Sequence, residues 1–527
     1  MPDLLSLADR SDPAGQPPAL HEILRQFLSA CRRPAVVEPG EPVLLLQEGE
    51  YSLEPTAKGA LLEAWGESKV LRRRVTAIRR EAAGRLDLTV EKFGRKSGVL
   101  TLMDAESGVA DIVERDSARA VNLAALCRWC ERLFPMWRIE LSSCGADLEN
   151  SLSQRFPRAL LRMGSHAMVV LAAQDCESAD DALAFGLIWF RHAQLRWPAF
   201  DVKTLALFVP PEAAVEMGLR LRSLNPDLVT ARLFATASDG FPVERPAESW
   251  GNLDSAISSL PYTPADSRLR ALFEEAAAVS EAEVVEDLQG GLHLELRGLP
   301  LATCKGDGLR VGLSLREARR EVTVAQLRLL AERVARIRRE ESAERQHPLY
   351  CRYPERWLEA MVRRNLSAID PLIDATTVRR QVTGFLGAQH TRTDLLALDR
   401  HGSLVVIEIK ASEDIALPVQ ALDYYTRLSL QLARGEIQAS ALFPDRTVLN
   451  APPRLLLVAP ALHFHSTNET VLRYFESSIC VRQIGVAIEW RKHLRVVFDH
   501  PCGRNDPGGN REWQATYSLR SAKHFRR

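Results

Sequence analysis

The chain has 527 residues and a mass of 58.8 kDa, more than one hydrophobic core usually serves, so several folded units are expected. Its composition, 46% hydrophobic and 26% charged with 29 Gly and 29 Pro, excludes collagen-like, low-complexity and wholly disordered classes. With 68 basic and 68 acidic residues the molecule is neutral as a whole, so any nucleic-acid contact has to come from local clustering of charge.

Residues 1–20 lack a basic start followed by an apolar run, and no stretch of about 18 apolar residues follows anywhere, so neither a secretory signal nor a membrane span is expected. Nine scattered cysteines do not read as a disulfide framework. The expected compartment is the cytoplasm.

In chain order, a Pro-rich leader and an amphipathic helix near Leu20–Cys31 fill residues 1–34. Short alternating runs at Pro42–Gln47, Val70–Arg79, Leu86–Phe93 and Val99–Met103 then read as a β-rich module over 35–108, with Gly94–Gly98 as a hairpin turn. Between Ser68 and Gly98, ten Lys or Arg face three acids. Arg72, Arg73 and Arg74 are therefore candidate phosphate contacts, against the plain alternative of a solvated sheet face.

An α/β unit is expected over 109–245, from a helix at Ala118–Phe134 and then alternating strands and helices: Met168–Ala173, Asp181–Gln194, Leu205–Val209, Glu212–Leu221 and Leu228–Phe234. Cys127 and Cys130 form a C-x-x-C inside the first helix, but two further zinc ligands at workable spacing are missing. A linker, a mixed segment without a clear pattern and a connector helix occupy 246–345. In that helix Thr323 and Gln326 have capping-box spacing, and Arg328, Arg333, Arg336, Arg338 and Arg339 lie off its apolar stripe.

Residues 346–500 carry the chemistry. Pro354 starts a helix on which Glu355 and Glu359 border an apolar stripe, so either is a candidate ligand. Val378–Leu386 reads as a strand, and Arg392–Asp399 with Ser403–Lys410 as a hairpin. Period two puts Glu408 and Lys410 on one face, and pairing could bring Asp394 alongside. Asp394, Glu408 and the Ile409 carbonyl make an oxygen-rich pocket suited to Mg²⁺ (or Mn²⁺), with Lys410 able to hold or activate water. Pro418 opens a helix with Gln420 and Tyr424 at i, i+4. Arg380 and Arg392 are further candidate contacts to nucleic acid. Residues 501–527 form a basic tail.

The helix glutamate, Asp394, Glu408-x-Lys410 and Gln420-x-x-x-Tyr424 resemble the PD-(D/E)XK nuclease superfamily over roughly residues 350–497, with a spacing especially similar to that of the C-terminal domain of NucS/EndoMS mismatch endonucleases. Thr393-Asp394 stands where that family has Pro-Asp. The resemblance implies a restriction-endonuclease-like mixed sheet flanked by helices, with Asp394 and Glu408 as metal ligands, Lys410 as catalytic lysine, the helix glutamate as auxiliary ligand, and Gln420 and Tyr424 in support. Multidomain α/β architecture and a metal-dependent DNA endonuclease of repair or defence are thus expected, with DNA as partner and homodimerisation open. A non-catalytic DNA-binding scaffold that keeps the fold and an RNA-directed nuclease are the alternatives.

Sliding the chain by 236 residues aligns Met168–Gln174 with Leu404–Lys410, placing Arg158 at Asp394, Ala172 at Glu408 and Gln174 at Lys410. Residues 109–245 are on this reading a degenerate copy of the same fold, unless the match is coincidental periodicity.

Overall fold

The computed structural model describes residues 20–38, 44–46, 50–56, 59–65, 70–82, 85–91, 97–104, 109–236, 241–250, 265–287, 290–306, 308–313, 316–317, 322–383, 392–440, 442–443 and 445–502. Among them are twelve α-helices and four sheets, so the protein is a mixed α/β molecule. No helix among these residues is long and apolar enough to cross a membrane. The expected turn at Gly94–Gly98 and the basic tail lie wholly or mainly outside the described residues.

Strict alternation of buried and half-buried side chains dictates the N-terminal sheet, most plainly over Arg85–Glu91. Helix α1 (Leu20–Ala30) precedes strands β1 (Pro34–Val37), β2 (Leu44–Leu45), β3 (Tyr51–Thr56), β4 (Gly59–Trp65), β5 (Val70–Ala82), β6 (Arg85–Glu91) and β7 (Ser97–Asp104). They pair in the order β2-β1-β7-β6-β5-β4-β3. Leu24 and Leu28 of α1 sit in one core with Leu62, Val75 and Leu88, so the helix expected in a separate leader packs onto this sheet.

Next come α2 (Val109–Leu133), β8 (Arg138–Ser143), β9 (Arg158–Met163), β10 (His166–Ala172), α3 (Cys176–Arg196), β11 (Asp201–Val209), α4 (Ala214–Arg222), β12 (Thr230–Ala235) and β13 (Val243–Arg245). Asp175 and Ser178 start α3 with a reciprocal capping box. The segment without a clear sequence pattern forms α5 (Ser267–Ala278) and an antiparallel sheet of β14 (Glu283–Glu286), β15 (Leu292–Leu296), β16 (Leu299–Lys305), β17 (Gly308–Val311) and β18 (Arg316–Glu317). Helix α6 (Val324–Ile337) packs Leu327 and Leu330 against it, and Thr323 and Gln326 cap it reciprocally as expected.

The C-terminal unit contains α7 (Pro348–Cys351), α8 (Pro354–Arg364), α9 (Leu366–Ile369), β19 (Arg379–Thr383), β20 (Arg392–Leu398), β21 (Leu404–Ile409), α10 (Leu417–Ala433), α11 (Glu436–Ala439), β22 (Arg454–Pro460), α12 (Asn468–Leu472), β23 (Cys480–Val486) and β24 (Val496–Cys502). Its sheet runs β19 to β24 in sequence order. Strand β23 ends at Val486.

This sheet and the β8–β13 sheet share one topology. Each has two antiparallel pairings, two parallel ones crossed by helices, and a last antiparallel strand. Their helix layers face each other: α3 and α4 share a core with α10 and the loops around α12. At its centre Leu224 bridges Phe475, while Asn225 N–H donates to Tyr474 O at 2.8 Å and Glu476 N–H donates to Ser223 O at 2.9 Å. These reciprocal bonds give the contact the form of an isologous, two-fold interface within one chain.

Superposing strand pairings corrects the expected register. Val169 pairs with Leu160 and Leu205, as Val406 pairs with Leu396 and Leu455, so β10 maps onto β21 with a shift of 237 rather than 236. Leu171 therefore stands at the place of Glu408 and Ala173 at that of Lys410, whereas Arg158 does match Asp394. The physical cause is one extra residue in the hairpin turn: two residues separate the paired Met163 and His166, and three separate Asp399 and Ser403 at the equivalent positions.

Candidate functional site

Strand pairing assembles the site. Leu395 pairs with Ile407, so in the same register Asp394 stands opposite Glu408. The Asp394 Oδ2 accepts the Ile409 backbone N–H at 2.8 Å, which fixes the carboxylate across the hairpin. Buried Leu404 and Val406 precede Glu408 on its own face, and this apolar setting removes Glu408 from water.

Glu408 is 4% exposed, and its Oε2 has no hydrogen-bond partner among the described residues. Burial, then repulsion from Asp394, pushes its carboxyl well above the usual range. Asp394 is likewise pushed up to about 7, first by burial and then by Glu359 and Glu355. Lys410 pairs with Asp414 at 3.2 Å. Burial opposes its charge, but Asp414, Glu355, Glu408 and Asp394 hold the ammonium well above the usual lysine range. Tyr424 is buried beside these groups, and burial followed by the charges of Glu408 and Asp394 raises its hydroxyl strongly. Gln420 lies one turn earlier on α10, half-buried.

The two helix glutamates separate. Glu359 is 2% exposed and is ion-paired with Arg380, which also bonds Glu295 at 3.1 Å. Glu355 remains exposed in the first turn of α8 and acts electrostatically on Asp394, Glu408 and Lys410. Of the two open alternatives, Glu355 is the one whose carboxylate faces the cluster without a buried arginine across it.

The candidate nucleic-acid contacts have different surroundings. Arg380 is held between Glu359 and Glu295 with its side chain 9% exposed, so it is an internal countercharge and not a surface contact. The Arg72–Arg74 run is largely neutralised across the sheet. Arg72 pairs with Glu63 at 2.7 Å and lies over the Tyr353 ring, Arg73 pairs with Glu38, and the more exposed Arg74 pairs with Glu91. Arg72 thereby joins the N-terminal sheet to the start of α8, helped by Arg352, which grips Glu54 with two bonds of 2.9 Å. Arg392 opens β20, and its side chain lies outside the described residues.

Two participants are not evident from the sequence reading. Asp414 lies in the loop after β21, where the run Glu413-Asp414 close behind Lys410 is the available signal. Glu295 comes from a segment without a legible pattern and reaches the site only through the fold. At the site's counterpart in the β8–β13 sheet, Arg158 is buried and donates to Gly145 O and Ser153 O, a cation where the C-terminal unit has an acid.

The donor set fits a divalent cation held by few protein ligands. Two adjacent carboxylates, the half-buried Asp394 and the buried Glu408 with its orphaned oxygen, need countercharge that Lys410 only partly supplies. Among the described residues no group of three or more His, Cys, Asp or Glu converges on one point. Comparisons with protein-family models, curated proteins and solved structures give no match.

Proposed function

We propose that the C-terminal unit is a metal-dependent nuclease of the PD-(D/E)XK kind, acting on DNA phosphodiesters. The observation that carries this reading is the half-buried Asp394 next to the buried Glu408, with its orphaned carboxylate oxygen, beside a charged Lys410. Buried like charges are costly, and such a group without full internal compensation marks a site built for something else to bind.

Asp394, Glu408 and the Ile409 carbonyl are the groups that would hold Mg²⁺ or Mn²⁺. Bound there, the cation supplies Lewis acidity to the phosphodiester and countercharge to the carboxylates. Lys410, kept as an ammonium by four carboxylates, donates to a phosphate oxygen as negative charge develops on it. In that role it keeps its proton, and the proton of the attacking water goes to another group. Glu355, exposed at the rim, is the carboxylate open to solvent and accepts that proton. Tyr424 and Gln420 wall the pocket from α10, with the Tyr424 ring excluding water from the acid pair.

The shared topology of the two six-stranded sheets supports the further reading that residues 109–245 are a degenerate copy, with Arg158 in place of an acid. The facing helix layers then act as an internal dimer, which leaves one active site per chain. Cytoplasmic location is consistent with this role.

The test is incubation of the purified chain with single-stranded, duplex, mismatched and branched DNA, and with RNA, in Mg²⁺ or Mn²⁺. Cleavage of a DNA class by wild type and none by Glu408→Ala supports the proposal. Cleavage confined to RNA would move the substrate class, and binding without cleavage under every condition would favour a scaffold.

A further inference from the structure

Between α5, α6, α8 and the β23–β24 turn lies an open groove of about 1050 Å³. Arg297, Arg336, Arg339, Arg364, Arg491 and Lys492 all line it. The carboxylates in its wall are Glu281, Glu332 and Glu340, and two of them are already engaged: Glu281 with Arg297 at 2.7 Å and Glu332 with Arg328 at 2.7 Å, while Arg364 pairs with Glu283 at 3.5 Å. The cations come from four separate elements, so the fold concentrates a positive charge that no single stretch of sequence displays.

Beneath this wall the charge is poorly compensated. Arg338 is fully buried and bonded to the backbone carbonyls of Arg297, Leu349, Arg352 and Tyr353, with no carboxylate partner among the described residues. Arg491 stacks on Trp490 at 4.3 Å, yet its buried Nε has no hydrogen-bond partner. Burial drives the Arg338 guanidinium down to about 9, with the charges of Arg491, Arg297 and Arg352 adding to the effect. A cluster of like charges held in a protein wall without matching acids is stabilised by an external anion.

We infer that this groove is the seat of the nucleic-acid backbone, taking consecutive phosphodiesters on Arg336, Arg339 and Lys492. The inference deepens the nuclease reading and rests on it for the choice of polyanion. Helix α8 connects the two places: Arg364 lines the groove at its end, and Glu355 faces the acid cluster at its start. Nine residues of helix span about 14 Å, or about four base steps of 3.4 Å. A strand seated in the groove is therefore only a few nucleotides from the acids.

The experiment measures binding without cleavage, so that it stands apart from the catalytic claim. Glu408→Ala protein in EDTA is titrated into a fluorescein-labelled DNA duplex, and into the single strand, between about 50 and 200 mM salt. Arg336→Glu/Arg339→Glu and Lys492→Glu are introduced into that background, with Arg333→Glu, exposed on the same helix but outside the groove, as the control. All four substituted positions are exposed, and thermal unfolding verifies that the variants fold. The double reversal is expected to weaken DNA binding at least about tenfold and lower the salt slope by about 2, Lys492→Glu to lower it by about 1, and Arg333→Glu to change neither. Groove variants that behave like Arg333→Glu would overturn the inference. So would competition for the groove by inorganic phosphate or a mononucleotide in a protein that binds neither DNA form.

Discussion

The Asp394 carboxylate accepts the backbone N–H of Ile409 at 2.8 Å, and this bond ties the strand bearing one acid to the strand bearing the other. It leaves the orphaned oxygen of the buried Glu408 as the uncompensated anionic group of the site.

Neutralising one of the paired acids should stabilise the metal-free protein. Asp394→Asn keeps an oxygen for the Ile409 N–H but removes a charge that burial disfavours, so at pH 8 in EDTA it should gain about 1 kcal/mol in denaturant unfolding. A loss of about 3 kcal/mol would instead mark a self-sufficient buried ion pair.

Divalent cation should protect the fold, and more strongly at alkaline pH. Burial and mutual repulsion hold Asp394 and Glu408 above the ordinary carboxylate range in the folded chain, so the folded state binds more protons than the unfolded one as pH rises from that range towards neutrality. The metal-free protein accordingly loses stability as pH rises through that window. Cation and proton compete for the same oxygens, so the rise in Tm with Mn²⁺ should be larger at pH 8 than at pH 5.5 and absent in Glu408→Ala. Equal rises at both pH values would contradict the assignment.

Arg380→Ala should unfold the protein more readily without acting through nucleic-acid contact. It strands Glu359 and Glu295 as buried, unpaired carboxylates, a change worth about 3 to 5 kcal/mol. Thermal unfolding reads the loss directly, and full stability in the variant would refute the internal role.

The facing helix layers are held by Arg220, which grips Asp423 with two bonds of 2.7 Å and is almost fully buried. Arg220→Ala should cost about 3 kcal/mol, and a double-mutant cycle with Asp423→Ala should show strong coupling across the two units. Independent, additive effects would mean that the layers do not depend on each other.

Much of the site is legible in the sequence because its signals are local. An acid and an amine two residues apart in an otherwise apolar strand, after a strand bearing Asp394, specify a face and a hairpin through the period of the strand alone. The register of the second sheet is not legible, because β10 and β21 are apolar on both faces. A run buried on both sides carries no alternation to fix which residue points where, so a one-residue slip leaves the apolar match intact while exchanging the faces. The basic run at Arg72–Arg74 is visible, but Glu38 and Glu63 lie outside the window in sequence and meet it only across the sheet. The five-stranded sheet of residues 283–317 gives no clear signal, since its strands are short and the glycines between them hide the pattern.

The most direct test is the single-turnover cleavage rate of the DNA substrate by wild type, Glu408→Ala and Lys410→Ala in Mg²⁺, with each variant shown to bind that DNA. The account predicts measurable cleavage by wild type, abolished by chelation, and a loss of about a thousandfold in each variant at nearly unchanged DNA affinity. Cleavage that survives both substitutions, or a wild type that binds DNA and never cuts it, would contradict it.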